Sequence, residues 1–317
     1  MLKRLLMLMI FIDILSVTIS GNEIAPLDTA CFPQRKTFAN ELKNGNKAQL
    51  KSLSNDYTAD ELKYVKPTYI EIQKRLNEDI LKGDYIFYPK FDTLVSEIHR
   101  QLIYSNSTLE KKCRFFISRD ISLNAMSSIF NSYVINLGSF HFLRSKDELA
   151  ALIAHEEAHN SLKHTITSLK NEFKIEKDLA KSSVRDIKKS KYSRGSKATD
   201  QFKSLLYSKG RLERQQEFEA DSLGYILYRN AGYTPEQYLS AFKLTMEYDT
   251  VKTEDLDIEI YKKVFDLPEQ PFKNEWMKQE DFSQYDYSKF KEKFDKDLIK
   301  SHPETDERIE KLKRIFP

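Results

Sequence analysis

Apolar residues recur with helical spacing over much of the chain and form short strand-like runs between residues 110 and 140. After Pro89 an apolar side chain returns every three or four positions, which predicts a helix. Segments 114–118 and 133–137 contain aromatic and β-branched residues and are predicted to be strands. Asn131 and Ser132, beside the second segment, predict a hairpin turn.

A further helix is predicted to begin at residue 146. Ser145 and Glu148 have the spacing of a capping box, in which a serine starts a helix and a glutamate three positions later supports that start. The apolar residues that follow have helical spacing: Leu149, Leu152 and Ile153. This segment is therefore predicted to be a helix with one side in the core.

The same helix carries the most informative motif of the chain, His155-Glu156-Glu157-Ala158-His159. Because the two histidines are four positions apart, both imidazoles lie on one helix face and can reach a single metal ion. Glu156 stands beside the first histidine and can hold a water that the metal activates for hydrolysis. The alternative is a helix whose histidines serve packing alone, and a third ligand would decide between the two.

A third ligand is predicted on a later helical segment, where Glu217 and Asp221 share one face. One carboxylate could bind the metal while the other orients a ligand. Two neutral imidazoles and one carboxylate leave zinc with a formal charge of about +1 and a fourth position for water, as in catalytic zinc sites. In isolation the two carboxylates would indicate a solvated acidic face. Together with the paired histidines, they favour a metal site.

The two motifs together resemble the zinc metallopeptidases that include HtpX, BepA, the Oma-type proteases and the CAAX prenyl proteases. Their pattern is HExxH followed by ExxAD on a later helix, and residues 155–159 and 217–221 match it at every motif position. The resemblance extends from about residue 90 to residue 317. It includes residues 124–126 and 133–138, which are similar to the family's strand pair before the active-site helix.

This resemblance implies an α+β fold: a mainly helical, zincin-type metallopeptidase with a small β-sheet beside the HExxH helix. It implies one Zn²⁺ per chain, bound by His155, His159 and Glu217. Glu156 is implied as the general base. Asp221 is implied as the carboxylate that supports a ligand imidazole.

The resemblance continues to the C-terminus. Ser301-His302-Pro303, with Arg308 six residues after the histidine, is similar to a family element in which the histidine approaches the metal. In that element the histidine can shield the metal site or stabilise charge there. Arg308 is a second candidate for stabilising this charge. Alternatively, His302 simply begins the last helix.

The implied activity is zinc-dependent endopeptidase activity on proteins or peptides, with misfolded or unassembled envelope proteins as the expected substrates. A second hypothesis is a chaperone-like or binding factor for envelope proteins, with an occluded zinc site of low activity. A third is a zinc ion with a structural role only, which predicts a site without an open coordination position.

Residues 1–20 are predicted to be a secretory signal peptide. Lys3 and Arg4 precede an apolar run from Leu5 to Ile19, which Asp13 interrupts, and small residues lie near Ser20. The chain is thus expected to be exported, to the periplasm, or to be membrane-associated if this segment stays as an anchor. No later run approaches the roughly 20 apolar residues of a membrane span.

Charge and cysteine content limit the classes of partner. The formal net charge is +3 with 31% charged residues, so no nucleic-acid partner is expected. Cys31 and Cys113 are the two cysteines, and they could pair in an oxidising compartment or remain free buried thiols. Lipidation of Cys31 is not expected, because the apolar run ends well before it.

The chain is expected to divide into a signal peptide, a helical extension over residues 21–89 and a peptidase domain over residues 90–317. Residues 165–210 are rich in lysine and serine and predict a charged, mobile or partly helical insertion, acting as a lid or without a role in access. Residues 269–287, which include Trp276, are expected to pack, or to contact substrate side chains.

The other histidines are given structural roles. His164 is expected at the end of the motif helix, where a cationic imidazole would suit the helix dipole. His99 and His141 have no partner at a ligand spacing and are interpreted as structural.

Overall fold

The structure, a computed structural model, describes residues 32–189, 194–250 and 302–316, with isolated positions between 259 and 298. The predicted signal peptide, Cys31 and Trp276 lie outside the described residues. The helices are α1 (Phe32–Ser52), α2 (Ala59–Lys82), α3 (Pro89–Ser105), α4 (Leu137–Phe142), α5 (Lys146–Ser161), α6 (His164–Lys189), α7 (Arg194–Asn230), α8 (Pro235–Thr250) and α9 (Thr305–Ile315). The strands are β1 (Tyr85–Ile86), β2 (Arg114–Ser118), β3 (Ala125–Ser127) and β4 (Ser132–Asn136).

The four strands form one small mixed sheet in the order β1-β2-β4-β3. β2 and β4 are parallel, with Ile117 opposite Ile135, whereas β1 and β3 pair antiparallel with their neighbours. The predicted hairpin turn joins β3 to β4, and Phe130 and Asn131 have positive φ values of 57° and 54° there. The two strands that the sequence indicates most strongly are therefore side by side but parallel, and the short β3 is the antiparallel partner.

The helix that carries the HExxH motif, α5, begins as the sequence predicts. The Ser145 hydroxyl accepts a hydrogen bond from the Glu148 N–H at 3.1 Å. The Glu148 carboxylate does not complete the capping box; it accepts from the Arg144 N–H and the Ser240 hydroxyl, each at 2.6 Å. These bonds fix the start of α5 to the preceding loop and to α8.

Small residues let α5 pack closely against α7. Ala150, Ala154 and Ala158 are fully buried along one side of α5. Facing them, Gly224 of α7 lies so close that an added Cβ would be 3.0 Å from the Cα of His155. This close approach determines where the side chains of α7 meet the motif helix.

The N-terminal helices have apolar clusters of their own. Phe38 of α1 packs against Phe87 and against Phe116 of β2, so α1 covers the sheet. Tyr57 and Tyr69 pair edge to face and share a hydrogen bond of 2.9 Å beside α2.

The predicted insertion over residues 165–210 is helical in its described part, since α6 and the first half of α7 occupy it. Lys209 and Glu172 pair between these two helices at 2.9 Å. Across the described ranges of the chain, no helix has the length and apolar character needed to cross a bilayer.

The architecture is an α+β fold of the zincin type, in which helices predominate and the small sheet lies beside α5.

Candidate metal centre

Two histidines of α5 face each other at the centre of a buried polar cluster. The Nε2 atoms of His155 and His159 are 3.0 Å apart, as their spacing of one helical turn predicts. His155 is 8% exposed. The ring nitrogens thus converge in a place that bulk water barely reaches.

Glu217 of α7 completes a group of three ligand-type side chains. Its Oε1 lies 3.3 Å from His159 Nε2, and its Oε2 lies 3.6 Å from His155 Nε2. One donor atom from each of the three residues lies within 4.8 Å of the others. Two imidazole nitrogens and one carboxylate oxygen are a donor set that suits zinc, so these residues fit a divalent metal ion.

Asp221, one turn after Glu217, contacts the far side of the first histidine. Its Oδ1 is 3.0 Å from His155 Nδ1, and a proton on that nitrogen leaves Nε2 free as a ligand. Arg308 of α9 donates two hydrogen bonds to the same carboxylate, from Nε at 2.8 Å and from Nη2 at 2.6 Å. The Arg308 Nη2 is also 3.3 Å from Glu217 Oε2, so one guanidinium serves both buried carboxylates.

His164 supports the second histidine, a contact that the sequence interpretation missed. Its Nδ1 is 2.9 Å from His159 Nδ1, and its Nε2 is 3.2 Å from Glu219 Oε2. The expectation that His164 ends the motif helix is wrong: it is the first residue of α6 and is 5% exposed. The chain reverses at Lys163, which has a positive φ of 55°.

Protons can be placed consistently along this chain of contacts. If His159 binds a metal through Nε2, its Nδ1 carries the proton and donates to His164 Nδ1. The other nitrogen of His164 then donates to Glu219. Burial and the neighbouring His159 both lower the pKa of His164, which favours this neutral form.

Glu156 lies at the same centre, but its carboxylate is hydrogen-bonded to the sheet. Its Oε2 accepts a hydrogen bond from the Ser127 N–H of β3 at 2.5 Å. Burial raises the pKa of Glu156 to about 7, although the adjacent His155 opposes the rise. A carboxyl group with a pKa near neutrality can both accept and return a proton.

The remaining charges of the centre are balanced by its imidazoles and by the guanidinium. Burial opposes the charged form of His155, but contacts with Asp221 and Glu217 raise its pKa to about 10 in the metal-free protein. Burial alone would raise the pKa of Glu217, but hydrogen bonds from the surrounding imidazoles hold it well below its usual range. Glu217 is therefore an anion that is ready to bind a cation.

His302 reaches the centre from the segment before α9. Its Nδ1 is 3.3 Å from Glu217 Oε2, and this contact raises its pKa. The side chain itself is 68% exposed. The structure thus brings together all seven residues that the sequence analysis singles out, with His302 at the margin.

A cavity of about 780 Å³ opens beside these residues. Its walls come from β3, α5, α6, α7, α8 and the start of α9, and they include apolar side chains such as Leu152, Leu169 and Phe242. β3 is the last strand of the described sheet on this side, and the side chain of Met126 is 49% exposed. An extended chain could therefore lie along β3 and reach Glu156.

No curated protein matches the chain. The model of Peptidase family M48 matches residues 90–316, which include the three ligand-type residues, Glu156, Asp221 and the helix that carries Arg308. This match covers well over half of the chain, and the geometry of the metal centre agrees with it. The chain belongs to Peptidase family M48 and is a metallopeptidase.

Proposed function

We propose that the chain is a zinc-dependent endopeptidase that cleaves proteins at internal peptide bonds. One observation carries this proposal: two imidazole nitrogens and the Glu217 carboxylate converge at the wall of a large cavity, with the Glu156 carboxylate beside them. A donor set of this kind leaves a coordination position open for water or substrate. A purely structural zinc site is closed, so the open cavity favours catalysis.

His155, His159 and Glu217 are proposed to hold one zinc ion. When bound, zinc acidifies a water molecule and polarises the substrate carbonyl. The Asp221 carboxylate and His164 fix the tautomers of the two ligand histidines from the far side of each ring. Arg308 keeps Asp221 and Glu217 ionised inside a buried environment.

Glu156 is proposed to move the protons of the reaction. It accepts a proton from the attacking water and returns it to the amine that leaves when the peptide bond breaks. The Ser127 N–H holds one oxygen of Glu156 and orients the carboxylate. Arg308 carries positive charge next to the reacting centre, where negative charge develops on the carbonyl oxygen, and His302, whose pKa is raised by its contact with Glu217, lies beside it.

An extended substrate segment is proposed to pair with β3. Peptides commonly bind by adding a strand to an exposed sheet edge, which aligns their backbone through main-chain hydrogen bonds. Because Ser127 of β3 bonds to Glu156, the strand that would hold the substrate also positions the base.

The biological role is proposed from the sequence alone. Residues 1–20 have the composition of a signal peptide, so the peptidase domain, over residues 90–317, would act outside the cytoplasm on misfolded or unassembled envelope proteins. The extension over residues 21–89 would pack on the outside of that domain.

The test compares wild-type protein with Glu156→Gln on an unfolded protein substrate, after zinc loading. We expect the variant to keep its zinc and to lose activity by a factor of roughly 10²–10⁴, the usual contribution of a general base. Glu71→Gln, which changes an exposed carboxylate on α2, is the matched control and should cleave at the wild-type rate. Equal cleavage by wild type and Glu156→Gln would overturn the proposal.

A separate assay tests the alternative of a chaperone-like factor. If Glu156→Gln restored full function in cells that lack the protein, binding rather than hydrolysis would be the function. We expect no restoration.

A further inference from the structure

A second polar cluster lies on the side of α5 that faces away from the cavity. Glu157 follows Glu156 directly, and a step of two positions from His155 points its side chain to the other side of the helix. Its exposure is 1%, and it is absent from the cavity wall. Burying a carboxylate costs free energy unless the group is paired, so the partners of Glu157 determine whether its burial is tolerated.

Two other potential ligands surround this carboxylate. His99 of α3 places its Nδ1 2.7 Å from Glu157 Oε1 and its Nε2 3.0 Å from the Sγ of Cys113. Donor atoms of His99, Cys113 and Glu157, one from each, all lie within 4.8 Å of one another. Cys113 lies just before β2 and forms no disulfide with any residue that the structure describes. Three separate elements thus bring a nitrogen, a sulfur and an oxygen together.

The hydrogen bonds around this cluster leave donor and acceptor atoms unused. The Tyr133 hydroxyl donates to Glu157 Oε2 at 2.7 Å, which directs the other oxygen towards His99. Despite their short separation, His99 Nδ1 and Glu157 Oε1 form no hydrogen bond of normal geometry within the described part of the chain, as is also the case for His155 Nδ1 beside Asp221 at the first metal centre. His99 Nδ1 and Glu157 Oε1 are both fully buried. An ion between the three side chains would bind Glu157 Oε1 and one of the two His99 ring nitrogens, since an imidazole offers a single ion only one nitrogen.

Charge balance also favours a cation. Among the residues that the structure describes, no lysine or arginine pairs with Glu157, in contrast to Glu217, which pairs with Arg308. A thiolate, a carboxylate and a neutral imidazole together neutralise a divalent ion. Nitrogen, sulfur and oxygen donors at this spacing suit zinc better than calcium or magnesium, which prefer oxygen alone.

We propose that His99, Cys113 and Glu157 form a second metal site, which takes zinc or a chemically similar divalent ion. Binding breaks the S–H bond of Cys113, releases that proton to solvent and forms a metal–sulfur bond without any change of oxidation state. The ion would tie α3 and the start of β2 to the back of the helix that carries His155 and His159. The site is separate from the cavity and does not depend on the proposed peptidase mechanism.

Cobalt(II) loading of the metal-free, reduced full chain provides the test, because a cobalt–thiolate bond gives a charge-transfer absorption band in the near ultraviolet that imidazole and carboxylate ligands do not. We expect wild-type protein to show this band and to bind one more ion per chain than Cys113→Ser. Cys31→Ser, which changes the other cysteine, is the matched control and should keep both the band and the ion.

Two further variants separate the two sites. His159→Ala should keep the band and lose the other ion, whereas His99→Ala should lose the band although its thiol remains. Circular dichroism identifies variants that fail to fold; if Cys113→Ser is one of them, Cys113→Ala replaces it. Absence of the band in folded wild-type protein, or its persistence in folded His99→Ala or in the folded Cys113 variant, would overturn the proposal.

Discussion

The two sides of α5 bury similar side chains, but the partners of these side chains differ. On the cavity side, His155 and His159 meet Glu217, and a guanidinium from α9 supports the carboxylates. On the opposite side, Glu157 meets the His99 imidazole and the Tyr133 hydroxyl, and the Cys113 thiol contacts His99. Among the described residues no guanidinium pairs with Glu157, and it does not line the cavity.

This difference shows what separates a reactive centre from a closed one. Each side contains at least one buried carboxylate and imidazole, so burial and donor chemistry alone do not distinguish them. On the cavity side, Glu156 lines the cavity and burial raises its pKa to about 7, whereas Glu157 does not line that cavity. Substitutions on the two sides of α5 should therefore differ in their effects on stability, metal affinity and catalysis.

The largest effect on stability is expected from Arg308→Ala on the cavity side. Loss of the guanidinium leaves Asp221, which is 1% exposed, and Glu217 with His155 as the cationic partner that they share. Removing one member of a buried ion pair typically costs about 3–5 kcal/mol. Urea unfolding of the metal-free protein should show a loss of this size.

Arg314→Ala is the control for this prediction, because the same helix α9 carries Arg314 in an exposed pair with Glu310. An exposed pair contributes about 0–1 kcal/mol. A similar loss of stability in both variants would mean that Arg308 acts through α9 in general and not through the buried carboxylates.

A smaller effect, on metal affinity, is expected from His164→Ala. Without His164, the Nδ1 of His159 loses the partner that fixes its tautomer. Removal of such a supporting group usually weakens metal binding by roughly 10–100-fold. Competition with a chromophoric chelator measures this change. His141→Ala, at an exposed position on α4, should leave the affinity unchanged, and an unchanged affinity in His164→Ala would contradict the role assigned to this contact.

The cavity side was largely predictable from the sequence, and the reason is helical periodicity. His155 with His159, and Glu217 with Asp221, are pairs four positions apart, so each pair shares a face whatever the rest of the fold does. The α+β class followed from the same motifs through the family resemblance, and the fold confirms it.

Contacts between elements were not predictable in the same way. His164 reaches His159 only because the chain reverses at Lys163, and no periodic pattern encodes that reversal. His99, Cys113 and Glu157 come from three elements that are distant in sequence, so spacing gives no indication of their meeting. For the same reason, the parallel pairing of β2 with β4 was not evident from their composition.

On the opposite side, Tyr133→Phe should reduce stability moderately and leave catalysis almost unchanged. The variant keeps the ring, which stacks on Phe115, and removes only the hydroxyl that donates to Glu157. A hydrogen bond to a charged group is worth about 1.5–3 kcal/mol. Urea unfolding together with peptidase assays measures both quantities. Tyr104→Phe, at an exposed position, is the control. Loss of activity in folded Tyr133→Phe would show that the two sides are coupled.

The smallest effect is expected from Ser145→Ala. Ser145 caps the N-terminus of α5, the helix that carries both clusters. The Ser145 hydroxyl caps α5 through the Glu148 N–H, and the loss of a serine cap typically costs about 1 kcal/mol. Because the cap lies more than two turns before His155, the loss should lower the free energy of unfolding without changing metal affinity on either side. Urea unfolding and cobalt titration measure the two effects. Ser54→Ala, at an exposed serine outside α5, should change neither, and weaker metal binding in Ser145→Ala would show that the position of α5 limits both centres.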